Sequence, residues 1–368
     1  MTVIKRIFAA LLSVSLLLGS AAALSSCGEN GPAALEYEGV RVSEKLYAYW
    51  MAHYKHAFLT TYRDASDTDE FWNSTLENGQ TAEEYLTSVV NRNVSRYAAA
   101  AWLFDYMKLK LTSGMKKEVE NGIDEICQYS FGGDKEKFNE YLAEIGIDRD
   151  TLYDAYIMDV KLNYVKEYLY GVSGVINVPD SDRMAYLEEK YVRIAHIYVN
   201  DKFKWETDED GEYVTDEDGH GKKRGLTEDE AASAAETIDA VRRGLENGTD
   251  FGELWEEYSE DKLYPGGYYL LPTTSGFFDE VVSAAFGLEI GETRELETEY
   301  GVHFIKRYKM EGTPWNDSGS ADFFGDFEDD MRSYLFTVMI DEVAADVTVN
   351  EDITGAHKLR DAAVAQYV

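Results

Sequence analysis

Two histidines sit in segments built to keep side chains away from water. His196 lies in VRIAHIYV (Val192–Val199) and His303 in VHFIKRY (Val302–Tyr308), both apolar, β-branched runs that read as strands. Alternation puts His196 on one strand face with Ile194 and Tyr198, and His303 on one with Ile305. A single imidazole among apolar neighbours is ordinarily a satisfied core residue. Two of them, on two strand-like segments, weaken that reading. No thiol chemistry competes with the histidines. Of the two cysteines Cys27 reads as a lipidation site, which leaves Cys127 with no partner for a disulfide within the chain, and Cys127 on an apolar helical face reads as a small core residue.

The elements between the histidine strands must position them. Thr227-Glu-Asp-Glu230 is a capping box opening a helix lined by Ala234, Ile238, Val241 and Leu245. Gly248 ends it. Asp250 caps a second helix with Phe251, Leu254, Trp255 and Tyr258 inward, and then come the run YSED, a Gly266-Gly267 turn and SAAFGLEIGE. In order and spacing this stretch, residues 190–311, resembles the parvulin family of peptidyl-prolyl isomerases. The chemistry so implied needs neither nucleophile nor metal, and no cofactor. Uncatalysed X–Pro isomerisation is held back by amide resonance, a barrier of roughly 18–20 kcal/mol. An enzyme lowers it by desolvating the amide, gripping the proline ring and arranging polar groups around the twisted state.

The resemblance assigns roles by position. His196 and His303 match the family's histidine pair. Asp261 matches the position that carries an acidic residue or cysteine near the substrate carbonyl, and Thr298, five residues before His303, matches the threonine of the histidine network. The proline site would be lined by Tyr269, Phe277, Val281 and Phe286. Here the chain departs from the family: GG-Asp-Leu-Gly followed by an aromatic is replaced by Gly266-Gly267-Tyr268-Tyr269-Leu270-Leu271-Pro272, methionine by Phe277, and a proline-contacting aromatic by Val281. A valine floor removes stacking surface and implies a looser grip.

The flanks are helical. Lys5 and Arg6 precede an apolar stretch, Ile7–Leu18, and Leu24-Ser25-Ser26-Cys27, which looks like a bacterial lipobox; residues 1–26 read as a lipoprotein signal and Cys27 as the acylated residue. Residues 27–41 read as a lipidated tether and 42–189 as a helical region, with aromatics of Val42–Tyr62 at helical spacing and a capping box at Thr81–Glu84. Residues 312–368 open as a linker, return as a helix over Phe323–Val347, continue extended from Thr348 and close on a short terminal helix. The expected class is α+β: a small antiparallel sheet with surrounding helices, inserted between the two segments of a mostly helical domain. That layout resembles the lipoprotein foldases related to PrsA and the SurA-type chaperones.

Charge narrows the partners. With 35 basic against 70 acidic residues, the formal charge is −35, which disfavours nucleic acid and direct binding to anionic lipid. Unfolded or newly secreted polypeptides, and a membrane reached through the lipid anchor, are the partners implied by the resemblance. An acidic insertion, residues 201–226, repeats Thr-Asp-Glu-Asp-Gly at Thr207–Gly211 and Thr215–Gly219 and reads as a protruding hairpin, unsuited to phosphoserine-proline substrates. Glu206, Asp208, Asp210, Gly211 and Glu217 fall at calcium-loop spacing without flanking helices, so a solvated hairpin is the preferred reading. The competing functional reading is a holdase with an inactive parvulin-like module. A solute-binding or structural lipoprotein is a third.

Overall fold

The computed structural model describes residues 32–61, 65–76, 78–208, 214–215, 221–263, 265–273, 277–310 and 321–368. Cys27 and the linker residues 312–320 lie outside them. The chain divides into two compact units, one made from residues up to Asn177 together with Gly325–Val368, the other from Val178–Phe324. The second unit is α+β; the first is mostly helical.

The first unit begins with a hairpin, β1 (Ala33–Tyr37) and β2 (Val40–Ser43), where the sequence suggests a tether. Glu38 and Gly39 form the connection with φ of 45° and 89°. Both values are positive, as a two-residue hairpin turn requires, and Gly39 takes the more demanding one without strain. Burial of Ala34, Leu35 and Val42 gives the hairpin its reason to exist. Helices α1 (Glu44–Thr61), α2 (Asp69–Asn73), α3 (Ala82–Tyr106), α4 (Ser113–Phe131), α5 (Lys135–Glu144) and α6 (Arg149–Tyr170) follow. Thr81 and Glu84 close the capping box at the start of α3, and Thr112, Asp134 and Asp148 accept from backbone N–H groups at the starts of α4, α5 and α6.

The second unit starts with α7 (Asp180–Lys190), which runs without a break into β3 (Tyr191–Val199). The compact unit thus opens at Val178, earlier than the sequence boundary at residue 190, because α7 buries Tyr186 and Leu187 and the Tyr186 ring meets Tyr191 on the strand it feeds. Next come β4 (Phe203–Trp205), β5 (Lys223–Gly225), α8 (Glu228–Glu246), α9 (Phe251–Tyr258), β6 (Tyr268–Pro272), α10 (Asp279–Phe286), β7 (Thr293–Glu297) and β8 (Val302–Tyr308). Four strands form an antiparallel sheet in the order β6-β3-β8-β7.

The sheet has two buried faces. Ala195, Ile197, Val199, Val302 and Phe304 pack on Ala234, Ile238 and Val241 of α8 and on Phe251 and Leu254 of α9. Val192, Ile194, Tyr269, Leu271 and Ile305 pack on Val281, Val282 and Ala285 of α10. Register places His196 opposite Ile305 and Tyr198 opposite His303, so the second stripe continues past α10 into the two histidines.

The acidic insertion doubles back more than once. β4 pairs antiparallel with β5, while Val214 donates its N–H to the Glu206 carbonyl and accepts from Lys222 through its own. Residues 209–213 and 216–220 lie outside the described residues, and with them Asp210, Gly211 and Glu217 of the calcium-loop spacing.

The chain then returns to the first unit as α11 (Ala321–Ala344), β9 (Thr348–Val349) and α12 (Glu351–Thr354). β9 adds to β1. The segment from Thr348 is therefore not extended throughout, and no helix follows Leu359. Its polar groups are captured from elsewhere: Lys55, 1% exposed, donates to the carbonyls of Arg360 (3.0 Å) and Ala362 (2.8 Å) and pairs with Asp67. The Glu83 carboxylate accepts from Leu359 N–H at 2.6 Å and from the Arg360 guanidinium at 2.8 Å. Arg96 of α3 forks onto Asp341 of α11 at 2.6 and 2.7 Å.

Candidate active site

The site is built from the open end of the histidine face. His196 Nδ1 lies 3.0 Å from Asp261 Oδ2, His196 Nε2 lies 2.9 Å from His303 Nδ1, and His303 Nε2 lies 2.8 Å from Thr298 Oγ1. The two rings are nearly parallel, 19° apart with centroids at 5.2 Å. His196 is 1% exposed and His303 is 0%. The structure thus brings together all four polar residues singled out in the sequence, in one continuous line.

Donor and acceptor chemistry fixes the direction of that line. The Asp261 carboxylate only accepts, so His196 Nδ1–H donates to it and, in a neutral ring, His196 Nε2 accepts from His303 Nδ1–H. His303 Nε2 then accepts from the Thr298 hydroxyl. The hydroxyl oxygen accepts in turn from Tyr300 N–H at 3.1 Å. Every buried polar atom along the line is satisfied with both rings uncharged. Burial, assisted by the proximity of His196, lowers the His303 pKa to about 4, which agrees with a neutral ring. Burial would raise Asp261, but hydrogen bonds from His196, Tyr269 and Leu263 outweigh it and hold its carboxyl at about 2, ionised.

Each member is held by its element. β3 and β8 carry the histidines. Thr298 closes the β7–β8 turn, where its N–H donates to Gly301 O at 2.9 Å. The Ser259-Glu260-Asp261 run is fastened to β3: Glu260 N–H donates to Tyr198 O at 2.8 Å, and the buried Ser259 hydroxyl accepts from Tyr198 N–H at 3.1 Å. Trp255 Nε1–H donates to Asp261 O at 2.8 Å. Gly267, with φ of 68°, lets the next turn pass directly over the site. A Cβ there would lie 2.5 Å from His196 O and 2.6 Å from the Trp255 ring.

Rings surround the line. Phe277 meets His196 edge-on at 5.2 Å and Phe278 meets His303 at 4.9 Å. Tyr198 lies against both histidines at 6.3 and 5.1 Å, and its hydroxyl donates to Tyr300 O at 2.7 Å. Burial, with the charges of Glu260 and Asp201, raises the Tyr198 hydroxyl to about 12, so it stays a donor. Tyr269, placed among the wall residues by sequence, is within ring contact of His196 and Phe277, but its hydroxyl is committed to Asp261 Oδ2 at 2.5 Å. It ties down the carboxylate as much as it forms a wall.

One wall assignment is corrected. Val281 is 0% exposed, because the phase of α10 turns Val281, Val282 and Ala285 together into the sheet; it is core, not a surface a ligand touches. Phe286 is half-buried and packs against that same core, as Phe277 does. Tyr198, Phe278, Ser259 and Trp255 were not singled out as site residues. Tyr198 was detectable, two residues from His196 on the same strand face.

No protein-family model matches the chain, and no curated protein matches it. Among solved structures it is similar to PrsA from Bacillus subtilis, at 19% identity over 76% of this chain and 93% of that one, with a TM-score of 0.25. It is also similar to the peptidylprolyl isomerase (PrsA) from Bacillus cereus, at 19% identity over 76% and 94%, TM-score 0.29. A third is the peptidyl-prolyl isomerase ESS1 from Candida albicans, at 22% identity over 44% and 77%, TM-score 0.24.

Proposed function

We propose that the chain is an extracytoplasmic, lipid-anchored foldase that isomerises X–Pro bonds and assists the folding of secreted polypeptides. The observation that carries this reading is the satisfied line from Asp261 through His196 and His303 to Thr298, set beside Phe277, Phe278 and Tyr198. The imidazoles are buried and serve as positioning groups. Asp261 is the charged member nearest solvent, with 16% of its side chain exposed. A planar amide concentrates negative charge on its carbonyl oxygen, and twisting about C–N withdraws it. A fixed carboxylate beside that oxygen disfavours the planar state more than the twisted one, while the rings hold proline and exclude water. Cys27 supplies the anchor in this reading, and two or more acyl chains there give stable attachment. Among the described residues no helix is long and apolar enough to cross a membrane.

The test is isomerase turnover on a proline tetrapeptide, wild type against His196→Ala. Acceleration by wild type and at least a tenfold loss in the variant support the reading. No acceleration by a folded wild-type protein defeats its enzymatic half. A holdase reading gains little from the helical unit's cavity of about 200 Å³, whose lining mixes Tyr54, Leu162 and Phe336 with Arg96, Asn163 and Lys166. Suppression of client aggregation that survives His196→Ala unchanged would support it.

A further inference from the structure

Beside the histidine line the structure contains an aromatic cage with a cation already in it. Lys223 Nζ lies 4.2 Å from the Phe203 ring centroid, 4.8 Å from Tyr300 and 5.1 Å from Trp205. Phe203 and Trp205 meet edge-on at 5.1 Å, and Phe203 and Tyr300 lie 6.4 Å apart. Three ring faces thus converge on one ammonium, the arrangement that recognises cations through their quadrupoles. Phe203 is buried and fixed, whereas Trp205 is 42% exposed and Lys223 lies at the surface. The cage walls are built, and their occupant is an exposed lysine side chain.

The cage abuts the candidate proline site. The Tyr300 ring stands 5.1 Å from Phe278, which stands 4.9 Å from His303. Tyr300 also belongs to the turn that wires Thr298 and Tyr198 through its own N–H and C=O. Two such ring-to-ring steps span about three extended residues at roughly 3.4 Å each. Charge near the cage is mixed: Asp201 and Glu297 pair with Lys202, and Lys204, Lys222 and Arg224 are near in sequence, so the three rings and not the local charge carry the recognition.

We propose that Phe203, Trp205 and Tyr300 form a subsite for a lysine or arginine side chain of the bound polypeptide about three residues from its proline, with Lys223 as the resident placeholder that a client cation displaces. This rests on the polypeptide-client reading of the histidine site. No bond is made or broken; one ammonium exchanges for another.

The experiment is an NMR titration of the full chain with two capped peptides, Lys-Ala-Ala-Pro-Ala-Ala-Lys and its norleucine counterpart. The Trp205 indole reports the cage, and the amides of Phe277 and His303 report the proline site. Wild type should shift the Trp205 indole with the lysine peptide but bind it little more tightly than the norleucine peptide, since displacing Lys223 returns the cation–π gain. Lys223→Met should prefer the lysine peptide about threefold. Adding Trp205→Leu, which changes no charge, should bring that ratio within 1.5-fold of unity, separating cage recognition from general attraction to an acidic protein. Equal binding of the two peptides to Lys223→Met, with Phe277 and His303 still shifting, overturns the cage alone. Silence at both sets of resonances defeats the client-binding reading and the cage with it.

Discussion

Acidification should loosen the sheet unit through one buried ring. His303 has an ordinary pKa of 6.5, and in the fold burial lowers it to about 4. Between those values an unfolded chain takes up a proton on this residue that the folded chain refuses. The unfolded state therefore gains on acidification, and the contribution of His303 to stability, complete above pH 6.5, is lost as pH falls toward 4. One proton of difference is worth about 1.4 kcal/mol per pH unit, so the loss across the window reaches about 3 kcal/mol. Below pH 4 both states carry the proton and the slope from His303 ends. Asp261 acts in a lower window: its carboxyl, held at about 2 against an ordinary 3.8, contributes stability above 3.8 that disappears toward 2. The measurement is a urea titration at pH 7, 6, 5 and 4, followed by the amide signals of β3 and β8, for wild type and His303→Gln. Wild type should lose up to about 3 kcal/mol more than the variant between pH 6.5 and 4. Burial also lowers His53 in the helical unit, but it is common to both proteins and cancels in the difference. An NMR titration of the His303 ring checks the premise directly. A ring that protonates near pH 6, or equal acid slopes in the two proteins, refutes the argument.

Three further outcomes are expected. Asp261→Asn places an amide N–H against either Leu263 N–H or the His196 and Tyr269 donors, so in both orientations a donor loses its acceptor and unfolding free energy should fall by about 1.5–3 kcal/mol, read from urea titration. Gly267→Ala drives a Cβ to 2.5 Å from His196 O at a positive φ, and thermal unfolding of the sheet unit should fall by the equivalent of at least about 2 kcal/mol. Lys55→Met leaves the carbonyls of Arg360 and Ala362 without their donor, and should destabilise the helical unit by about 2–4 kcal/mol while leaving the amide signals of His196 and His303 in place.

The site was legible where local pattern decides it. Strand alternation around His196 and His303, the Thr227 capping box and the Asp250 cap each depend on residues a few positions apart. Tyr198 was within reach of the same alternation, whereas Phe278 was not, because its place depends on how the start of α10 meets a histidine strand that follows it in the chain. Val281 failed for a related reason: a position matched by spacing says nothing of the phase of α10 until the sheet face beneath it is known. The β1–β2 hairpin went unseen since Glu-Gly is a weak turn signal and its burial comes from a distant helix. The tail after Leu359 carries a helix-like pattern, but the Lys55 ammonium and the Glu83 carboxylate, both distant in sequence, capture the groups a helix would need.

The helical unit is closed by residues that leave the ribosome after the whole α+β unit has done so. Lys55 waits for Arg360 and Ala362, Glu83 for Leu359, Arg96 for Asp341 and β1 for β9. The α+β unit, which needs only Val178–Phe324, has all its partners earlier. Order of synthesis therefore sets a schedule: the α+β unit can finish while the early helices stay incomplete, their aromatic faces uncovered, until residues 325–368 have been made. During that interval those faces are open to aggregation, and deleting residues 359–368 should prolong the exposure.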